Sequence, residues 1–254
     1  WWWLDGYVDF SRENAPLAQQ GIERWFEWHR ATQLPNYAQL LAAVGPEMLE
    51  PATPAQVCRW QARVRDALSP SLERAVEIAA ELVPTLGEAQ LRHIEQRYAK
   101  VNDEMRSDFL QPDPAVRLRE SIKRTVERAE RLYGPLGEPQ QRVIAAGVAA
   151  SPFDPALWLA DRQRRQRDTL AILRELVGTQ ADRDQRLAGL RTLALRLERS
   201  PDPGYRAYQA RLAEYNCGFA AQIHNAATTE QRRRARDTVK GWEADLRALT
   251  ATPG

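Results

Sequence analysis

Apolar residues recur every three to four positions over most of the chain. Leu91, Ile94, Tyr98, Val101, Met105 and Phe109 share one face of a helix at that spacing. Tyr205, Tyr208, Leu212, Tyr215, Phe219 and Ile223 form a second stripe, and Val57, Trp60, Val64 and Leu68 a third. Leu118, Ile122, Val126, Ala129 and Tyr133 form a fourth, and Val239, Trp242, Leu246 and Leu249 a fifth. No alternating run of β-branched residues bounded by turn signals competes with them. The pattern predicts an all-α protein.

Helix breakers punctuate the stripes. Leu34-Pro35, Pro51, Ser69-Pro70, Pro84, Pro112, Gly134-Pro135, Ser151-Pro152, Gly178 and Ser200-Pro201-Asp202-Pro203-Gly204 divide the chain into about ten or eleven amphipathic helices. No connection is long enough to force a domain boundary. The expected organisation is a single multi-helix domain over residues 1–254, elongated or layered, with a candidate subdomain junction at 200–204. Helix starts carry a recurring signature: Ser11 with Asn14, Thr53 with Gln56, Gly87 with Gln90, Gly137 with Gln140, and Thr228 with Gln231. Each is a capping-box arrangement, in which the N-cap accepts from the third helical N–H and the third side chain reaches back. The starts follow no constant interval, so they mark caps and not a repeat.

Composition narrows the function classes. Of 254 residues, 36 are basic and 34 acidic, a net charge of +2, so no strong field favours nucleic acid. Only Lys100, Lys123 and Lys240 are lysines; the other basic residues are arginine. No apolar run approaches the length of a transmembrane helix. The first residue is Trp, and Trp1-Trp2-Trp3 at a free terminus would expose a large apolar patch unless packed. The expectation is that an upstream targeting segment, a signal peptide or lipid anchor, has been removed, or that the chain is excised from a longer protein.

Signatures of common chemistry are missing. There is no G-x-S-x-G, Walker loop, G-x-G-x-x-G or H-E-x-x-H, and His29, His93 and His224 lie far apart. No catalytic, cofactor or metal residue is therefore nominated, and the expected cofactor set is empty. His29 reads as a packing residue, and His224 as a partner for helix-end carbonyls or a cap. Trp25, Phe26, Trp28 and Trp60 read as core. Arg162, Arg164, Arg165 and Arg167, and Arg232, Arg233, Arg234 and Arg236, form two arginine clusters that read first as solvated, salt-bridged faces. Their sharper reading is a docking surface, since the guanidinium fork suits carboxylates and phosphates. Phe153 and Trp158 beside Arg162 and Arg165 give one candidate binding surface, with Trp28, His29 and Arg30 a second group. Asp154-Pro155 between them reads as N-cap and first helical residue.

Several stretches carry a resemblance. Trp3-Leu4-Asp5-Gly6-Tyr7-Val8-Asp9, Trp28-His29-Arg30 with Leu34-Pro35-Asn36-Tyr37, Ser151 through Gln166, Asn216-Cys217 with His224-Asn225, and Thr228 through Arg232 resemble a proteobacterial lipoprotein family built on a domain of unknown function. The capping signatures also resemble, a few residues at a time, the LTxxQ motifs of Spy/CpxP-type periplasmic chaperones. The sequence departs from the lipoprotein family at Phe10 through Pro16, where a Leu-Thr-x-x-Gln-like helix start is usual. Pro16 would be the fifth residue of that helix, so the helix should begin later or kink. The resemblance implies a periplasmic protein, lipid-anchored to the inner or outer membrane through a segment absent from this chain. It brings no established activity.

Cys58 and Cys217 are the two cysteines, in neither a C-x-x-C nor a zinc spacing. An oxidising periplasm, implied by the resemblance, would allow them to pair; in a reducing compartment they would be two buried thiols. The expected function is non-enzymatic: a chaperone-like binding protein or envelope component whose partners are envelope proteins or peptides. The alternatives are a structural subunit of an envelope complex, or a hydrolase whose site is assembled from separate helices.

Overall fold

A computed structural model describes residues 1–251. Among them the chain is all-α, with eleven α-helices joined by short turns and no strand. The helices are α1 (Trp2–Val8), α2 (Ala15–Trp28), α3 (Leu34–Val44), α4 (Pro54–Leu82), α5 (Glu88–Phe109) and α6 (Pro114–Tyr133). They continue with α7 (Glu138–Ala149), α8 (Pro155–Gly178), α9 (Arg183–Glu198), α10 (Pro203–Ala226) and α11 (Thr229–Ala251).

The described helices fall into two compact units, and the chain passes repeatedly from one to the other. Unit 1 comprises Trp1–His29, Ser69–Leu110 and Asp154–Arg206; unit 2 comprises Arg30–Leu68, Gln111–Phe153 and the chain from Ala207 onward. The last change of unit comes two residues after the Ser200–Gly204 turn.

Most breakers end helices as expected, but Ser69-Pro70 does not. α4 runs through Pro70 without interruption, although an interior proline removes one backbone hydrogen bond and costs about 3 kcal/mol. The dipeptide instead marks the change of unit, between Leu68 and Ser69. Two residues on, the Ser71 carbonyl is held by the Trp25 indole N–H at 3.1 Å. Pro16 is accommodated as its position demands: α2 begins at Ala15, with the proline in the tolerated first turn. A π-helical turn, His29–Gln33, then leads into α3, where Pro35 again sits in the first turn.

The capping signatures are real, with one chemical amendment. Thr53 and Gln56, and Thr228 and Gln231, bond reciprocally through side chain and backbone. At Gly87 and Gly137 there is no side chain to accept, so only the return half exists: the Gln90 and Gln140 carbonyls accept the glycine N–H groups. Ser11 accepts the Asn14 N–H in a turn, before the helix starts. A sixth box, Asp182 with Gln185, opens α9. The cap glutamines also tie loops together. The Gln90 amide donates to the Asp9 carbonyl, and the Gln140 amide donates to both Gln231 and the Ala226 carbonyl.

Unit 1 has its main core where α5 and α8 meet, around Val83, Leu91, Ile94, Leu170, Leu173 and Leu176. A smaller cluster packs Ala18 against Ile78 and Leu82, with Trp1, Phe10 and Trp25 around it. In unit 2 the core gathers Tyr133, Ile144 and Ala235 from α6, α7 and α11, with Leu136 and Ala227 from the turns between α6 and α7 and between α10 and α11. Gly147 of α7 lies against the Phe219 ring so closely that a Cβ there would sit 2.0 Å from it. Six of the expected core or stripe positions are exposed: Phe26, Val64, Leu68, Leu118, Trp242 and Leu249, from 40% for Leu118 to 51% for Leu249. Trp60 is only partly covered; its indole donates to Glu47 at 2.8 Å and Arg63 lies over its ring.

Unit 2 is closed by a disulfide between Cys58 and Cys217, and no described cysteine is free. Two further links join the same segments. Asn225 exchanges two hydrogen bonds with the backbone of Ala52, at 2.8 and 2.9 Å. His224 bonds the Glu50 carbonyl through Nε2 at 2.8 Å and the Tyr133 hydroxyl through Nδ1 at 2.9 Å. A carbonyl can only accept, so Nε2 carries the proton and Nδ1 accepts from Tyr133. His224 therefore serves Glu50, 174 residues away in sequence, rather than the carbonyls of its own helix end. Burial lowers its basicity and pushes the Tyr133 phenol up to about 12.

Candidate functional site

A cleft of 530 Å³ lies in unit 1. That size lies within the range of small-molecule sites. Its first wall is α1, whose residues Trp3, Leu4, Tyr7 and Val8 occupy one side of two helical turns. α1 buries none of its residues fully, and Trp3 stays 74% exposed. The second wall is Ile94 and Tyr98, one turn apart on α5. The third is a single stripe of α8, Arg162, Arg165, Gln166, Thr169 and Leu173, at the i, i+3, i+4, i+7 and i+11 positions of one face. Leu197 near the end of α9 completes the rim.

Aromatic rings dominate the α1 side. Trp3 lies 4.9 Å from Tyr7 between ring centroids, Tyr7 meets Tyr98 edge-on at 6.3 Å, and the Arg97 guanidinium lies 5.2 Å from the Tyr7 ring centre. The Tyr98 phenol is raised above its ordinary value, first by burial and then by Tyr7. A hydrogen bond with Thr169 and the positive charge of Arg162 oppose that rise.

Behind the cleft, α8 carries a buried ionic cluster. Asp161, with its carboxylate 4% exposed, pairs with Arg164 and lies 2.9 Å from Nε of Arg165. The Arg165 contact is an ion pair without the alignment of a hydrogen bond. Arg164 also donates to Ser200 and approaches Asp168, which pairs with Arg196 at 3.2 Å. Arg206 donates to the Ser200 and Pro201 carbonyls, fixing the turn after α9. Asn102, buried on α5, forms a reciprocal amide pair with Gln166 and accepts from Nε of Arg162 at 3.3 Å. Arg162, like Arg206, has no carboxylate partner among the described residues. Three guanidiniums, of Arg164, Arg165 and Arg196, contact two carboxylates, of Asp161 and Asp168.

The nominated residues separate. Arg162 and Arg165 line the cleft. Trp158 stands one turn before Arg162 and packs edge-on against Phe109 at 5.7 Å. Asp154 caps α8 as read from the sequence, accepting from the N–H groups of Ala156 and Leu157. Phe153 ends a segment of unit 2. His29 stacks on Trp25 at 4.5 Å, its basicity lowered by burial, and Trp28 is half-buried beside it in sequence; neither lines the cleft. Arg30 belongs to the π-helical turn and to unit 2. The cleft residues that sequence reasoning missed are Tyr7, Tyr98, Gln166, Thr169 and Leu197. The α8 stripe is legible in retrospect, because Gln166, Thr169 and Leu173 continue the face begun by Arg162. Nothing in the sequence pairs that stripe with α1.

A smaller concavity in unit 2, of 300 Å³, lies around Trp60, whose partners Glu47 and Arg63 are already engaged. Among the described residues no group of three His, Cys, Asp or Glu side chains could hold a metal ion, and no helix is long and apolar enough to cross a membrane.

These features define an all-helical protein with an aromatic cleft bordered by arginines. Residues 6–192 match a family of unknown function, DUF6279, and the chain belongs to that family. No curated protein and no solved structure matches it. The matched stretch includes the α5 wall and the α8 stripe, whereas Trp3, Leu4 and Leu197 lie outside it.

Proposed function

We propose that this protein is a non-enzymatic binding protein of the bacterial envelope, holding an apolar ligand or client segment in the cleft of unit 1. The carrying observation is the cleft itself: a 530 Å³ space whose walls are aromatic and aliphatic, open at the exposed Trp3. Such a lining gives affinity through burial and fixes orientation with few polar groups. Arginines, tyrosines, a threonine and an amide also line the cleft and would orient a bound ligand.

A periplasmic location is supported by the Cys58–Cys217 disulfide, which suits an oxidising compartment, and by the lipoprotein resemblance of the sequence. On this reading a lipid anchor outside the present chain holds the protein at the membrane, and the cleft serves a chaperone-like or carrier role there.

Titration with a neutral apolar dye, followed by dye and tryptophan fluorescence together with hydrogen exchange, tests the reading. The expected result is saturable one-to-one binding that protects amides of α1, α5 and α8. Thr169→Trp, which fills the cleft from the α8 stripe, should abolish binding while the circular dichroism stays helical. Absence of saturable binding, or protection confined to unit 2, would overturn it.

A further inference from the structure

Guanidiniums, phenols, an amide and a hydroxyl line the cleft, and which of them are already engaged restricts what the ligand can be. We infer that the unit 1 cleft binds a linear acyl chain ending in a single carboxylate, with Arg162 as the group that holds the carboxylate. This rests on the proposed binding role and names its ligand class.

The first observation is the occupancy of the polar side chains. Thr169 donates to the Arg165 carbonyl at 2.9 Å and is hydrogen-bonded with Tyr98. Gln166 is held from both ends of its amide by Asn102. These groups are satisfied inside the protein and have little left for a ligand. An extended peptide brings an N–H and a C=O at nearly every residue, and burying those without partners is costly. A hydrocarbon chain brings none.

The second observation is charge. Arg162 is committed only through Nε, and the terminal nitrogens of its guanidinium have no partner among the described residues. They are not among the buried, unpartnered atoms either, so they reach solvent at the cleft. The neighbouring α8 cluster sets three further guanidiniums, of Arg164, Arg165 and Arg196, against two carboxylates. A planar guanidinium with a free edge matches a carboxylate through two parallel hydrogen bonds. Arg165 sits one turn away, with its own charge partly answered by Asp161.

The third observation is the shape of the apolar part. Trp3, Tyr7, Ile94, Leu173 and Leu197 provide a lining without a charged group. Ile94 and Leu173 belong to the unit 1 core, so the floor of the cleft is the outer surface of that core. An acyl chain laid along it removes its methylenes from water.

The experiment compares dodecanoate with dodecanol, both below their aggregation limits, by calorimetry on the intact chain with its disulfide formed. Dodecanoate is expected to bind one-to-one and at least tenfold more tightly than dodecanol. Arg162→Gln should bring dodecanoate down to the affinity of dodecanol. Arg162→Lys should keep part of the margin and make it more salt-sensitive, since charge survives and the fork does not. Arg167→Gln, an exposed position on the same helix that does not line the cleft, should preserve the margin. Equal binding of the two compounds would overturn the carboxylate assignment while leaving an apolar cleft. Failure of both to bind, with the neutral dye also excluded, would overturn the binding role itself. An apolar octapeptide with a free C-terminus that binds more tightly than dodecanoate would overturn the acyl assignment in favour of a peptide.

Discussion

Unit 2 ties residues 50–58 to α10 at three places, by a disulfide, a reciprocal amide bridge and a histidine, whereas unit 1 buries a carboxylate among arginines. The unit 2 links are internally complete: donor meets acceptor and thiol meets thiol. The unit 1 cluster is not complete, because its cations outnumber its anions, and Arg165 with the adjacent Arg162 borders an open cleft. The difference separates two uses of polar groups in a helical protein. Where they close on themselves they fix the fold. Where they leave valence over, beside apolar surface, they make a site.

The largest expected effect tests the stapled unit. Reducing Cys58–Cys217, or replacing both by alanine, should lower the unfolding free energy by on the order of 5 kcal/mol in the chain-entropy picture, the two cysteines being 159 residues apart. The closed loop encloses two of the three segments of unit 1, so thermal unfolding of the whole chain should shift. Local loosening, read as faster amide exchange, should be confined to residues 50–58 and α10. Unchanged exchange there would show that Asn225 and His224 hold the segments without the disulfide.

The matching perturbation in unit 1 is Asp161→Asn. Removing one partner of a buried ion pair leaves an uncompensated charge and typically costs about 3–5 kcal/mol. Here Arg164 and Arg165 both lose their shared carboxylate. Denaturant unfolding should show a loss of that size. A loss below about 1 kcal/mol would mean that the cluster behaves like an exposed salt bridge, and that the contrast between the units is weaker than drawn.

Much of this was legible beforehand, for identifiable reasons. Helical spacing in the Leu91–Phe109 stripe and the threonine–glutamine caps are local signals, and local signals survive in a sequence. Ser69-Pro70 misled because a proline's cost can be outweighed when a long helix serves two units. Val64 and Leu68 continue an apolar stripe yet remain about half exposed, since periodicity says which face is apolar but not whether a neighbour covers it. The site was half visible. Arg162 and Arg165 stood out by composition, while Tyr7, Tyr98 and Leu197 reach the cleft only through the packing of α1, α5, α8 and α9. The Tyr133–His224–Glu50 chain was hidden for the same reason, its members lying 91 and 174 residues apart.

That chain gives the pH dependence of unit 2. The Tyr133 phenol is raised from 10 to about 12 in the folded protein, so between those values the unfolded chain has released a proton that the folded chain retains. Stability is full below pH 10 and falls as pH rises toward 12, by about 3 kcal/mol at most. Tyr98 of unit 1 shifts in the same direction. Unfolding followed from pH 9 to 12 should therefore flatten in part with Tyr133→Phe and in further part with Tyr98→Phe. On the acid side, burial lowers both His224 and His29, so the unfolded chain takes up protons first. Stability should be full above pH 6.5 and decline below it, until each imidazole protonates in the folded state. A stability curve that rises on acidification through that window would contradict the buried, neutral assignment of His224.

The smallest expected effect is the most informative about the comparison. Arg162→Gln should change unfolding free energy by about 1 kcal/mol or less, the usual worth of the one hydrogen bond to buried Asn102 that it gives up. Its only protein bond is the 3.3 Å contact from Nε to Asn102, and that Asn102 oxygen still accepts from Gln166 at 3.2 Å. No carboxylate loses a partner when the charge goes, unlike the Asp161 case. If Arg162→Gln proves as damaging as Asp161→Asn, then Arg162 belongs to the structural cluster and its charge is already used by the fold. If stability changes no more than that while the preference for a carboxylate disappears, the residue serves the ligand and not the helices. A binding site differs from a structural network in that respect, because its groups can be removed at little cost until the ligand is present.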